Sequence, residues 1–186
     1  MNPVQIIQKW MQENDKDIFI INRTDEFLSE YIAPYAERLN WISSFSGSAG
    51  RAIIEKNNAY IFVDGRYTNQ VKKEVDTNYF EIKHLENYWL HLKNYNKSNK
   101  TIVIDPTLHS IAEVEKINSF FKYSNIRLDF IKKNPIDMNW VDQPSYPGSS
   151  AFAHSDEFSG ENFKNKIKRI QNKLKSNLID VYILSA

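Results

Sequence analysis

A run of five uncharged residues, Ala59 to Val63, constrains the fold most strongly, because uncharged β-branched and aromatic residues are typical of a buried strand. Asp64, Gly65, Arg66 and Tyr67 follow directly, so a carboxylate, a guanidinium and a phenol stand at the strand's carboxyl end. In open α/β sheets, ligand-facing groups collect at that end. Two interpretations are open. Either these side chains face a ligand, or Asp64 caps the next helix while Arg66 pairs with a neighbouring carboxylate.

Strand patterns alternate with helix patterns along most of the chain. Strands are predicted at 17–22, 52–54, 59–63, 79–84, 101–105 and 126–130. The last of these alternates apolar and charged residues, which is typical of a half-exposed edge strand. Asn57 and Asn58 predict a tight hairpin between the second and third strands. Helices are predicted from Pro3 onward and over 36–41, 66–75, 86–95 and 110–121. This alternation predicts an α/β domain with a mixed sheet.

The composition changes after residue 141, where proline, glycine and serine become frequent. We therefore predict a first domain at 1–141, a linker at 142–157 and the start of a second α/β domain at 158–186. The last segment contains an amphipathic basic helix and an apolar strand over 180–185. One helix and one strand cannot bury a core, so we expect this second domain to be truncated.

Composition excludes several kinds of function. The 186 residues carry a net charge of +1, which gives no argument for binding nucleic acid or a membrane. The basic face of the last helix is interpreted as a solvated face. The absence of cysteine excludes disulfides and thiol chemistry, and agrees with a cytoplasmic location. Neither a signal peptide nor a membrane-spanning stretch is predicted.

The sequence contains no recognised catalytic motif. The histidines at 84, 91, 109 and 154 form no metal-binding motif. A structural role for His84 and His91 is favoured over a shared metal site across a strand–helix turn. The run 46–50 contains two glycines but lacks the Gly-Lys-Ser/Thr ending of a phosphate loop, so a tight backbone turn is predicted. Residue chemistry alone therefore predicts no catalytic residue and no metal ligand in this chain.

Several separate motifs, in this order and spacing, resemble the N-terminal domain of the Xaa-Pro aminopeptidase (aminopeptidase P) family, in its longer, three-domain type. They lie at 29–35, 37–38, 41–43, 45–50, 64–67, 104–106, 134–137 and 140–144, and residues 182–185 resemble the first strand of the second domain. The departures are modest. Ser44 stands where the family usually has glycine, Phe62 and Val63 replace a Trp-Thr pair, and Gln143 replaces an arginine, which weakens any cationic contact there.

The resemblance implies a creatinase-like fold, in which a six-stranded mixed sheet carries helices on both faces. It also implies a parent enzyme, expected to be homodimeric, that removes an N-terminal residue preceding proline. In that family two metal ions, usually manganese, are held by two Asp, one His and two Glu in a C-terminal domain. None of those positions falls within this sequence, so we expect a fragment without peptidase activity.

Within the parent, the resemblance implies that this domain walls one side of the substrate cleft. Asp64, Arg66 and Tyr67 are the predicted cleft-edge residues, because a guanidinium can hold a peptide carbonyl or carboxylate. The alternative is a non-catalytic, peptidase-like domain that binds other proteins.

Overall fold

The computed structural model describes residues 1–97 and 99–184, and the chain divides into two compact units between Pro147 and Gly148. The first unit contains one six-stranded sheet in the order β4-β3-β2-β1-β5-β6. The strands are β1 Ile18–Asn22, β2 Gly50–Glu55, β3 Ala59–Val63, β4 Phe80–His84, β5 Thr101–Ile104 and β6 Arg127–Phe130. Its α-helices are α1 Pro3–Glu13, α2 Arg38–Ser43, α3 Thr68–Glu74, α4 Tyr88–Lys93, α5 Ile111–Phe121 and α6 Pro135–Asn139.

The sheet is mixed, which confirms the predicted fold class. Strand β2 runs antiparallel to β1 and β3, whereas the pairs β3–β4, β1–β5 and β5–β6 are parallel. The carboxyl ends of five strands therefore lie along one edge, together with the start of β2. The strands that follow β1 in the chain, β2, β3 and β4, are added in turn on one side of β1. Strands β5 and β6 are added on its other side. The connectivity thus reverses between β1 and β5, and the edge strand predicted at 126–130 is indeed β6.

Alternating residues of the strands supply two cores, one on each face of the sheet. All five residues of β1 are buried, as the apolar run predicts. One face packs against α1, α2, α3 and α6, with core residues such as Ile7, Leu39 and Val71. The opposite face packs against α4 and α5 through residues such as Leu92 and Ile117. Each such side chain stabilises the fold by about 1.5–3 kcal/mol relative to an exposed position.

Helix ends follow the local sequence. Asn2 caps α1 in a capping box, and Ser110 caps α5 through a hydrogen bond from the Glu113 amide. Helix α2 ends at Ser43, and the residue that caps it, Ser44, has a φ of 62°, in the left-handed region. That conformation favours glycine, which is the residue that the resemblance implies at this position.

Several predicted boundaries need correction. The helix predicted at 66–75 begins as a 3₁₀ turn, Gly65–Tyr67, before α3, and the one predicted at 86–95 has 3₁₀ turns on both sides of α4. The short helix α6 was not predicted. In the part of the chain that the structure describes, no helix is long and apolar enough to cross a membrane.

The second unit contains α7 Asp156–Ser159 and α8 Phe163–Ser176. The predicted basic helix is α8, capped by Asn162, and the apolar residues Phe163, Ile167 and Ile170 on it are exposed. The strand predicted at 180–185 is wrong over residues 180–184, which are irregular, and Ser185 lies outside the described residues. A strand needs a hydrogen-bonded neighbour, and none of the six strand ladders includes these residues.

Candidate functional site

The side chains of Asp64 and Arg66 form a clamp at the carboxyl end of β3. Asp64 is the N-cap of the 3₁₀ turn, and its Oδ1 accepts a hydrogen bond from the Arg66 amide at 2.9 Å. The Arg66 guanidinium returns to the same carboxylate, with Nε 3.1 Å and Nη2 2.6 Å from Oδ2. Both parts of the capping interpretation are therefore confirmed, with Asp64 itself as the partner of Arg66.

The hydrogen bonds of the clamp favour the ionised forms of both Asp64 and Arg66. Hydrogen bonds from Arg66 hold the pKa of the Asp64 carboxyl below its usual value, and Asp64 raises the pKa of Arg66. The Arg66 side chain nevertheless remains 68% exposed. Because Asp64 engages Nε and Nη2, the planar guanidinium presents its Nη1 donors on the other side. Such a group can hold a carbonyl or carboxylate without first being ordered.

The aromatic ring of Tyr67 contacts the Arg66 guanidinium. The Arg66 guanidinium carbon lies 5.3 Å from the centre of the Tyr67 ring, within cation–π range. The Tyr67 hydroxyl and the Ser48 Oγ are 2.6 Å apart, and this hydrogen bond lowers the pKa of Tyr67. The ring also meets Phe45 edge to face, with centroids 5.6 Å apart. Tyr67 is therefore held in one orientation from two sides.

The glycine-containing run 46–50 packs against this tyrosine. A Cβ added to Gly47 would lie 2.8 Å from Tyr67 Cδ1 and 2.8 Å from Phe45 Cε2, and closer still to the Phe45 Cζ. Glycine is thus required by close packing, and its φ lies outside the left-handed range. The backbone bends at Ser48 and Ala49. The run lines the site as a structural support.

The same run is anchored to α3. The Ser46 amide and hydroxyl both donate to Glu74, at 2.9 and 2.8 Å. Gln70 Nε2 donates to Ser46 Oγ at 2.9 Å and to Glu74 Oε1 at 3.0 Å. Partial burial opposes ionisation of Glu74, but these hydrogen bonds outweigh it and lower its pKa. The loop is therefore held by an ionised carboxylate.

Two further residues, which no sequence pattern assigned to the clamp, lie beside it. His84 ends β4 opposite Val63 in the register, and its Nε2 would lie 3.6 Å from a Cβ added to Gly65. Glu30 acts electrostatically on Arg66. The parallel pairing of β3 and β4 is the signal that would have found His84, because such strands end at the same edge.

The structure brings Asp64, Arg66 and Tyr67 together. The two histidines considered for a shared metal site have other hydrogen-bond partners. His84 Nδ1 accepts a 3.4 Å hydrogen bond from the Glu86 amide, whereas His91 contacts Tyr95 and Lys83 at 3.0 and 3.3 Å. Across residues 1–97 and 99–184, no group of three or more His, Cys, Asp or Glu side chains is arranged to hold a metal ion.

The fold defines a class: the N-terminal domains of creatinase- and prolidase-type proteins. An X-prolyl aminopeptidase from Caenorhabditis elegans, described as a cytosolic enzyme with a di-nuclear active site, superposes with a TM-score of 0.82. The match is 22% identical and covers 96% of this chain and 31% of that chain. The N-terminal domain of the cytoplasmic peptidase PepQ from Mycobacterium tuberculosis superposes with a TM-score of 0.58, at 12% identity, over 73% of this chain and 96% of that chain. These likenesses show the fold alone.

The family itself is shown by sequence. The family model of the Creatinase/Prolidase N-terminal domain matches residues 3–129, and the chain belongs to this family. A probable Xaa-Pro aminopeptidase P from Aspergillus fumigatus is 33% identical over 184 residues, which cover 96% of this chain and 28% of the relative. One from Coccidioides posadasii is 34% identical over 90% of this chain and 27% of the relative. The chain thus spans less than a third of these relatives, and the resemblance drawn from its motifs is confirmed.

Proposed function

We propose that this chain is the N-terminal domain of an Xaa-Pro aminopeptidase and forms one wall of its peptide cleft. The observation that carries the proposal is the Asp64–Arg66 clamp, an exposed but pre-ordered guanidinium at the carboxyl edge of the sheet. Arg66 would bind a carbonyl or carboxylate of the substrate through Nη1, while Asp64 and Tyr67 hold it in place. The substrates would be peptides with proline in the second position.

The chemistry of cleavage would reside elsewhere in a longer polypeptide. The parent enzyme would hold two divalent metal ions, manganese by our expectation, in a domain outside this sequence. The described residues offer no cluster of ligands for such ions. We also propose a cytoplasmic location and a homodimeric parent. The cysteine-free composition supports the location, and the resemblance to the family supports the dimer.

A direct test compares two polypeptides on the same Xaa-Pro peptide. The 186-residue chain alone is expected to release no N-terminal residue, with or without added manganese. A longer polypeptide that joins this chain to the metal-binding domain is expected to release it, and to lose activity when a chelator removes the metal. Metal-dependent cleavage by the short chain, or none by the long one, would refute the proposal.

The rival function, binding of other proteins without cleavage, has one observation in its favour. The loop after β1 exposes three apolar side chains: Phe27 is 63%, Leu28 51% and Tyr31 83% exposed. Exposed apolar groups are typical of protein contacts when they are contiguous. An inactive long polypeptide that still binds a protein partner through these residues would favour this second function.

A further inference from the structure

A polar cavity of about 270 Å³ lies at the carboxyl end of β1, where the chain connectivity reverses between β1 and β5. In open α/β sheets, ligands bind in the crevice at such a switch point. Its wall includes Arg51 at the start of β2 and residues 28–30 of the loop that follows β1. Ser48 also lines the cavity and bonds to Tyr67, so the cavity adjoins the clamp.

Four charged side chains line this cavity, and three of them are paired. Arg51 forms an ion pair with Glu113, and Arg23 forms one with Glu37 at 2.8 Å. The fourth side chain, Glu30, makes no ion pair and no side-chain hydrogen bond with any residue that the structure describes. The cavity therefore carries one uncompensated negative charge, which attracts a cationic group and repels an anion.

The backbone of Glu30 is fixed, whereas its carboxylate is free. Arg23 Nη1 donates to the Glu30 carbonyl at 3.1 Å and to the Ser48 carbonyl at 3.4 Å, so one guanidinium joins the two loops. The other two acids of the loop after β1 are engaged: Asp25 accepts hydrogen bonds from two amides, and Glu26 accepts one from a tyrosine hydroxyl at 2.7 Å. Glu30 is exposed, and of these three acids it alone is available to a ligand in the described structure.

Glu30 and Arg66 attract each other electrostatically, yet no ion pair joins them in the described structure, because Arg66 is bonded to Asp64 instead. Two opposite charges held apart on one edge suit a ligand that carries both a cationic nitrogen and a carbonyl or carboxylate. We propose that Glu30 is a subsite for a cationic nitrogen of the peptide that Arg66 holds. This nitrogen is an ammonium or guanidinium group, from a Lys or Arg side chain or from the N-terminus. The inference rests on the proposed function, because it assumes that Arg66 holds a peptide.

The test is an NMR titration of the ¹⁵N-labelled 186-residue chain with four amidated peptides at low ionic strength. Gly-Pro-Lys-Lys-NH₂ is compared with Gly-Pro-Gln-Gln-NH₂, which isolates the effect of the side chains. Each is also used in its N-acetylated form, which isolates the effect of the terminal ammonium. At least one of these two cations should strengthen binding about threefold to fivefold, the effect of one exposed ion pair. Because the whole chain carries a net charge of +1, general attraction of cations does not account for such a gain.

Glu30→Gln should remove this gain and still fold, because only the backbone carbonyl of Glu30 is used to hold the loop. Glu30→Lys should reverse the gain, because the subsite then repels a cation. Glu26→Gln, the same loss of charge on the same loop but outside the cavity lining, is the matched control and should retain the gain. The proposal is overturned if no peptide binds, if neither cation strengthens binding, if the gain survives Glu30→Gln, or if Glu26→Gln removes it equally.

Arg66→Ala separates this inference from the proposed function. If both hold, Arg66→Ala weakens all four peptides to the same degree and keeps the gain from the cation. If Arg66→Ala has no effect while Glu30→Gln removes the gain, the role of Arg66 fails and the cationic subsite stands. If Arg66→Ala weakens all four peptides and Glu30→Gln changes nothing, the cationic subsite fails alone.

Discussion

Replacing Gly47 by alanine tests whether close packing orients the Tyr67 ring. The added Cβ would lie 2.8 Å from Tyr67 Cδ1 and closer still to Cζ of Phe45, whose ring is fully buried. Ordinary carbon contacts are about 3.5–4.0 Å, so at least one ring must move by roughly 1 Å. Overpacking of this kind costs about 1–3 kcal/mol, and the reduced entropy of the unfolded chain offsets about 0.4–1 kcal/mol of it.

The net expectation for Gly47→Ala is a loss of about 1–2 kcal/mol in the free energy of unfolding, measured by urea denaturation. For a chain of this size, that corresponds to a fall in Tm of about 2–8 °C. Gly65→Ala is the matched control, because its Cβ would meet only His84 Nε2 at an ordinary 3.6 Å. If Gly47→Ala proved as stable as Gly65→Ala, the packing argument for Tyr67 would be refuted.

Three further changes address other parts of the fold. Ser44→Gly should raise the free energy of unfolding by about 0.5–1 kcal/mol, because the φ of 62° strains serine; equal or lower stability in urea would contradict this. Asp137→Ala removes the carboxylate that holds the buried Arg38 at 2.7 and 2.9 Å, so a loss of about 3 kcal/mol is expected; a loss under about 1 kcal/mol would argue against it. Burial and Lys83 lower the pKa of His91, so its contribution is complete above the ordinary pKa of about 6.5 and declines as pH falls below that value. His91→Gln should therefore flatten the stability loss between pH 7 and pH 5, and an unchanged slope would count against this.

Local sequence patterns were sufficient to predict the six strands of the sheet and the clamp residues Asp64 and Arg66. The run at 59–63 and the Asn57–Asn58 turn encode the β2–β3 hairpin within a few residues, and Asp64 lies two residues from its partner Arg66. By contrast, α6 has only five residues, and the ion pair that joins it to α2 is formed by Arg38 and Asp137, which are 99 positions apart.

The contacts that hold the clamp residues in place could not be predicted from the sequence either. Ser48 and Tyr67 are 19 residues apart, and only the folded hairpin brings them together. Apolarity alone also misled at 180–184, where the composition of a strand is present but no neighbouring strand pairs with it in the described structure. Contacts between distant segments therefore account for what the sequence could not predict.

The central claim is that Arg66 holds substrate, and the kinetics of Arg66 variants test it most directly. In the longer polypeptide with the metal-binding domain, Arg66→Ala should raise KM or lower kcat for an Xaa-Pro peptide, with folding intact by circular dichroism. Loss of a charged hydrogen bond predicts a fall in kcat/KM of about 10- to 100-fold. Arg66→Lys should recover only part of it, because lysine lacks the forked donors. Unchanged kcat and KM in Arg66→Ala would contradict the account and leave Arg66 a structural residue.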